Sequence, residues 1–162
     1  MDIKHIRLST DNKPRAVTLT TNWKISSGDY DPILQLDVLI NDLSNNSVYE
    51  QMRRQIQTKL GGYKSQDVRK EIFSLGEFIS LESTVAMLRK CELKCYYCKG
   101  MVKVLYEQVR ESSQWTLDRI DNSRGHNTDN VEIACMSCNL KRRTMYHERY
   151  LFTKQLSVKK MS

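Results

Sequence analysis

The sequence predicts an α+β fold in which a mostly helical N-terminal part packs on a zinc-stapled strand–strand–helix finger. Three observations lead there: apolar residues recurring at helical spacing between residues 31 and 90, two CxxC pairs, and two short β-prone runs between those pairs. At 162 residues, 40% of them hydrophobic, the chain has the size of one domain with a modest core. Its charged share of 28% is that of an ordinary folded protein. No apolar run approaches the length needed to span a bilayer, and the opening "MDIKHIRLSTDNK" lacks the apolar block of a secretory signal. The chain is therefore expected to work inside a cell, without a membrane partner.

The elements follow in chain order. In "VTLTTNWKI", Val17, Leu19, Trp23 and Ile25 share one parity with mostly polar residues between them, which predicts a half-buried strand. "DPILQLDVLINDL" opens with Asp31 as N-cap and Pro32 at the first helical position, and places Ile33, Leu36, Ile40 and Leu43 on one face. A helix then starts at Ser47, with Ser47 and Glu50 as a capping box. Val48, Met52, Ile56 and Leu60 recur every four residues until Gly61 and Gly62 stop the pattern, and Arg53 and Arg54 lie off that stripe. A short helix around residues 66 to 73 and another from Leu81 to Lys90 complete the helical part.

Cysteine organises the rest. Five occur, at 91, 95, 98, 135 and 138, as "CYYC" and "CMSC" with Cys91 apart. Two CxxC pairs are the geometry of a tetrahedral thiolate site suited to Zn²⁺, with Cys95, Cys98, Cys135 and Cys138 as ligands. Disulfides are the alternative, disfavoured by the odd count and the lack of a secretion signal. Cys91 reads as a small apolar residue near a helix end. Four thiolates leave no open coordination position, so this zinc holds structure and any chemistry lies elsewhere.

Between the pairs stand a strand "TLDRI", a polar loop "DNSRGHNTDN" and a strand "VEIA"; the helix-prone "NLKRRTMYHERYLF" follows the last cysteine. Strand, loop, strand and helix can bring Asp118 to face Asn139. A carboxylate and an amide oxygen there suit a hard divalent cation such as Mg²⁺ or Mn²⁺, and such an ion stabilises charge on a phosphodiester in its transition state. The net charge of +7 is concentrated in residues 51 to 70, where Asp67 is the lone acid, and in residues 139 to 162, where Glu148 is. Positive charge so gathered can release counterions from a phosphate backbone; two solvated helix faces are the plainer reading.

The pieces "LDRIDNSRGH", "DNVEIACMSCN" and "LKRR" resemble the catalytic finger of the HNH nucleases, the ββα-metal group, in its form with two CxxC pairs; large-virus and phage members have similar wording. The resemblance covers roughly residues 90 to 145. It implies an HNH nuclease domain over 89–156, followed by a basic tail over 157–162, and leaves unexplained the N-terminal strand and helical region over 1–88, whose basic helix offers DNA-binding support. It also implies a metal-dependent DNA endonuclease working in the cytoplasm or nucleus of the cell or of an infected host. Asp118 and Asn139 would ligate the catalytic ion, and Asn130 would hold the loop by backbone hydrogen bonds. The departure is Arg119, at the place usually held by the histidine that activates water. Arginine stays protonated and cannot be that base.

His126, in the loop, is the leading replacement, because an ordinary value near 6.5 suits a general base; a polar turn contact is its bland reading. His147 is a distant second at roughly 12 Å along the helix from Asn139, and Asp121 either stabilises the turn or binds metal through water. Arg119 would grip the scissile phosphate, against an ordinary salt bridge to Asp121 or Glu132. Arg53, Arg54, Arg119, Lys141, Arg142 and Arg143 are the candidate nucleic-acid contacts, with double-stranded DNA the expected partner and a homodimer left open. Trp115, Tyr96 and Tyr97 either stack on bases or pack in the core. A non-catalytic zinc-stapled binding module shares most of these features, and a purely structural interaction protein stays open. A zinc deaminase does not fit, since its His-x-Glu element and its Pro before the second CxxC are missing.

Overall fold

The computed structural model describes residue 19, residues 25–41 and residues 45–156. Apart from Leu19 and Ile25, the predicted strand at 17–25 lies outside the described residues, as do Leu43 and the tail 157–162. The described chain is mixed α/β: five α-helices surround a two-stranded antiparallel sheet. No helix among the described residues is long and apolar enough to cross a membrane.

Helix α1 spans Pro32–Ile40, and the Asp31 side chain accepts from the Ile33 amide as its N-cap. Its buried face differs from the predicted one: Gln35, Val38 and Leu39 point inward, whereas Ile33 and Ile40 are exposed. Gln35 is what turns the helix. Its amide spans from the Asp29 and Leu105 carbonyls to the backbone amides of Val104 and Leu105, so a polar residue outranks two isoleucines for the interior.

Helix α2, Ser47–Arg69, departs more from expectation. Its N-cap is Asn46, whose side chain accepts from the Val48 amide at 2.7 Å, so Ser47 is already helical. Val48, Met52, Ile56 and Leu60 are buried as predicted, yet the helix runs on through Gly61 and Gly62 and absorbs the first half of the segment expected as a separate helix. Each helical glycine costs about 1 kcal/mol relative to alanine. Tertiary contacts made beyond the pair, by Tyr63 and Asp67, offset that. Helix α3 covers Leu81–Lys90 as predicted, capped by Ser80.

Strands β1, Trp115–Arg119, and β2, Val131–Cys135, pair so that Asp118 lies opposite Glu132. Helix α4, Met136–Arg142, begins between the last two cysteines; the Cys135 sulfur accepts from the Cys138 amide at its N-terminus. The predicted single helix after Cys138 is broken at Arg143, which adopts φ 53°, and resumes as α5 over His147–Gln155. One core joins these parts, running from Val38 and Met52 through Leu88 and Leu93 to Trp115, Ile133 and Tyr150.

Candidate metal centre and adjoining cleft

The sulfurs of Cys95, Cys98, Cys135 and Cys138 all lie within 4.8 Å of one another. In a tetrahedral zinc site with Zn–S near 2.3 Å the sulfurs stand about 3.8 Å apart, and the Cys98–Cys135 separation is 3.9 Å. The donor set therefore fits a metal ion such as zinc. Local backbone builds it: Cys95 accepts the Lys99 amide through its carbonyl, Lys99 turns at φ 60°, and the Tyr96 amide bonds the Ile133 carbonyl, tying the first knuckle to β2. Burial and the neighbouring Cys95 sulfur push the Cys138 thiol up, so a cation is what lets such a cluster ionise together. Cys91 ends α3 and stays outside the cluster.

On the other side of β1 a cleft of about 570 Å³ opens between α2 and the finger. Its walls include Asp118, Arg119, His126, Asn139 and Arg143 from the finger, and Lys59, Tyr63 and Gln66 from α2. Five residues singled out from sequence thus share one cavity. Parity explains two of them: Thr116 and Asp118 lie on the same face of β1, and Asn139 donates its amide nitrogen to Thr116 Oγ1 at 3.1 Å and to the Leu117 carbonyl at 3.4 Å. With its nitrogen engaged, Asn139 has its carbonyl oxygen left, the atom a hard cation takes.

Asp118 is already engaged. Its Oδ1 accepts from Arg142 Nη1 at 2.7 Å and its Oδ2 from the Tyr97 hydroxyl. Burial pushes the carboxyl above its usual range, against the pull of Tyr97 and Arg142. Arg142 corrects an expectation: it is 2% exposed and cannot lie on a phosphate backbone. One helical turn after Asn139, it faces inward and bonds Asp118 and the carbonyls of Arg119, Ile120 and Met145. Lys141 and Arg143 remain exposed, as does Arg54, while Arg53 pairs with Glu82 at 3.3 Å.

Arg119 takes neither predicted salt bridge; its Nη1 donates to the Asn122 and Arg124 carbonyls, at 3.1 and 3.2 Å. Asp121 holds the turn, accepting from the Ser123 amide and hydroxyl. Asn130 is buried, with Oδ1 accepting from the Asp121 amide and Nδ2 donating to the Asp121 and Gly125 carbonyls, so it laces the loop closed. His147 packs near Tyr96, with ring centroids 6.0 Å apart, and is not on the cleft wall. Trp115 and Tyr97 are core residues.

His126 is buried and paired. Its ring Nδ1 lies 2.8 Å from Asp67 Oδ1, its backbone amide donates to Asp67 Oδ2 at 2.6 Å, and Tyr63 stacks on it at 4.5 Å. Burial holds its value below the usual histidine range, with Asp67 pulling the other way. Sequence reasoning passed over Asp67, Tyr63 and Lys59. Together with Gln55 they recur every four residues along α2 and fasten it to the finger. Gln55 bonds Trp115 Nε1, Lys59 the Trp115 carbonyl, Tyr63 the Leu117 amide and Asp67 the His126 amide. The period of four beside the apolar stripe, ending on the one acid of a basic segment, was the available signal.

Comparison with protein-family models, with curated proteins and with solved structures gave no match.

Proposed function

We propose that the chain is a metal-dependent endonuclease that hydrolyses phosphodiester bonds in DNA, with a ββα finger of the HNH type at its centre. The observation that carries the reading is the convergence of Asp118, Arg119, His126, Asn139 and Arg143 on one cleft. A basic loop, a neutral imidazole and two oxygen donors are the parts that phosphodiester hydrolysis needs. The order hairpin then helix, next to a four-cysteine cluster, agrees with that type of finger.

In this mechanism His126 takes the proton of the attacking water, since burial keeps its ring neutral at pH 7. Arg119 offers the N–H groups not given to the loop carbonyls to the scissile phosphate, and Arg143 adds charge at the mouth. Asp118 and Asn139 are the residues that would hold Mg²⁺ or Mn²⁺. Each Asp118 oxygen keeps one lone pair beyond its bond to Arg142 or Tyr97, so the donor set fits a hard ion once a negatively charged phosphate joins it. When bound, the ion supplies stabilisation of charge on the departing oxygen. Cys95, Cys98, Cys135 and Cys138 would hold zinc, which when bound would keep the hairpin against α4.

The Asp118–Arg142 pair also favours a second reading, a DNA-binding module without cleavage. Plasmid nicking with Mg²⁺ or Mn²⁺ by the wild type, Asp118→Ala and His126→Ala separates the two. Cleavage by the wild type that is lost in both variants supports the enzyme. Gel shifts without cleavage by any of the three support the module.

A further inference from the structure

The nuclease reading leaves one fully buried carboxylate of the N-terminal part without a role. Asp67 is 0% exposed and gives its two carboxylate oxygens to one residue, His126. A carboxylate in that setting only accepts, so the imidazole proton sits on Nδ1 and the lone pair on Nε2. The backbone amide on Oδ2 and the ring nitrogen on Oδ1 together fix both where the loop runs and how the ring is turned. Tyr63, one helical turn earlier on α2, covers one ring face. With Nδ1 turned to Asp67 and one face closed, the Nε2 edge is what His126 brings to the cleft it shares with Arg119 and Asn139.

The loop is shaped for this contact. A side chain at Gly125 would place its Cβ 2.7 Å from the Ile72 carbonyl oxygen and 2.8 Å from Asp67 Oδ2, so only glycine lets the chain pass this close to the carboxylate. The charged groups facing the ring are Asp67 and Lys70 from α2 and its end, and Arg119 from β1; the two cations act with burial, and Asp67 acts against them.

We propose that Asp67 is a positioning residue, which holds His126 in the Nδ1-protonated tautomer so that Nε2 faces the cleft ready to accept a proton. The inference rests on the nuclease reading. It makes α2 part of the active centre, although the finger's own segment lies tens of residues away in sequence.

The test uses the full zinc-loaded chain and two readouts. Asp67→Asn is nearly isosteric and keeps an oxygen for the His126 amide, but its NH₂ group donates to Nδ1 and forces the proton onto Nε2. Cleavage should fall by about a hundredfold or more in kcat, the lower end of what a general base contributes, with DNA affinity unchanged. The acid limb of the residual pH profile should move to lower pH, because the charge that raises His126 is gone. Nitrogen NMR of His126 should show Nδ1–H in the wild type. A wild type carrying its proton on Nε2 overturns the inference whatever the variant does. A wild type that cuts and an Asp67→Asn that cuts within fivefold, with an unmoved pH profile, overturns it and leaves the nuclease reading standing. A wild type that does not cut overturns the nuclease reading and takes the positioning role with it.

Discussion

Replacing Arg142 with methionine distinguishes an internal tie from a phosphate contact, and its size follows from the geometry. The side chains of Arg142 and Asp118 are 1% and 6% exposed, and the guanidinium also serves three carbonyls. Removing it strands a carboxylate in a low-dielectric setting, where breaking a buried pair costs about 3–5 kcal/mol. Against a total stability of about 5–15 kcal/mol that is a large share. With a urea slope of about 2 kcal/mol/M the midpoint should drop by roughly 1.5–2.5 M. Urea denaturation followed by circular dichroism measures this directly. Asp118→Asn on the same background should recover part of the loss, because the orphaned charge is removed. Lys141→Met, at an exposed site, should stay within about 0.5 kcal/mol of the wild type. If Arg142→Met unfolds within about 1 kcal/mol of the wild type while its DNA affinity drops and the salt slope falls by about 0.9, the contact is to phosphate and the reasoning fails.

Metal analysis should find one zinc bound by the cysteine cluster. Cys98→Ser or a strong chelator should remove it and melt the hairpin, an effect on the scale of the roughly 10–16 kcal/mol that structural zinc contributes in small fingers; an unchanged melting curve in zinc-free protein would argue against the site. Gly125→Ala forces a methyl against a backbone oxygen and should lower stability by about 1–3 kcal/mol, readable in the same urea assay, and no loss would mean the loop does not pass as described. Lys59, in the cleft wall and over the Trp115 ring, is lowered by burial to about 7. Between pH 7 and its ordinary value near 10.4 the unfolded chain then binds the extra proton, so stability rises with pH through that window. Relative to Lys59→Met, the wild type should therefore gain stability from pH 7 to pH 9, and parallel profiles for the two would contradict the lowered value.

Local rules made much of this chain readable. Asp31–Pro32, the Val48 to Leu60 stripe, Leu81–Lys90, the two CxxC pairs and the hairpin between them all depend on residues close in sequence, and each appears where its pattern put it. What stayed hidden depends on partners far away. Arg142 looks like any basic residue of a helix end until Asp118 is seen beneath it. Gln35 outranks Ile33 and Ile40 only because backbone groups near Leu105 need its amide. Gly61 and Gly62 read as a stop because their local preference is against helix, whereas the contacts of Tyr63 and Asp67 that override it are made with β1 and the loop. His126 could be picked out from its chemistry, but the carboxylate that orients it could not.

Those two glycines have an effect on the shape of the groove. Beyond its chain neighbours and the adjoining backbone of α2, neither has any atom within 4 Å of where a methyl group would stand, and Gly62 forms part of the cleft wall. The helix there presents bare peptide, a smooth floor between the residues that anchor it and the residues that hold the imidazole. Alanine at both positions would strengthen α2 by up to about 2 kcal/mol in propensity, yet at Gly62 it would put a methyl group into the cleft, space that a substrate strand would occupy on the proposed nuclease reading. Helix propensity and an open cleft thus pull in opposite directions at this one turn of helix, and the chain carries the version that keeps the cleft open.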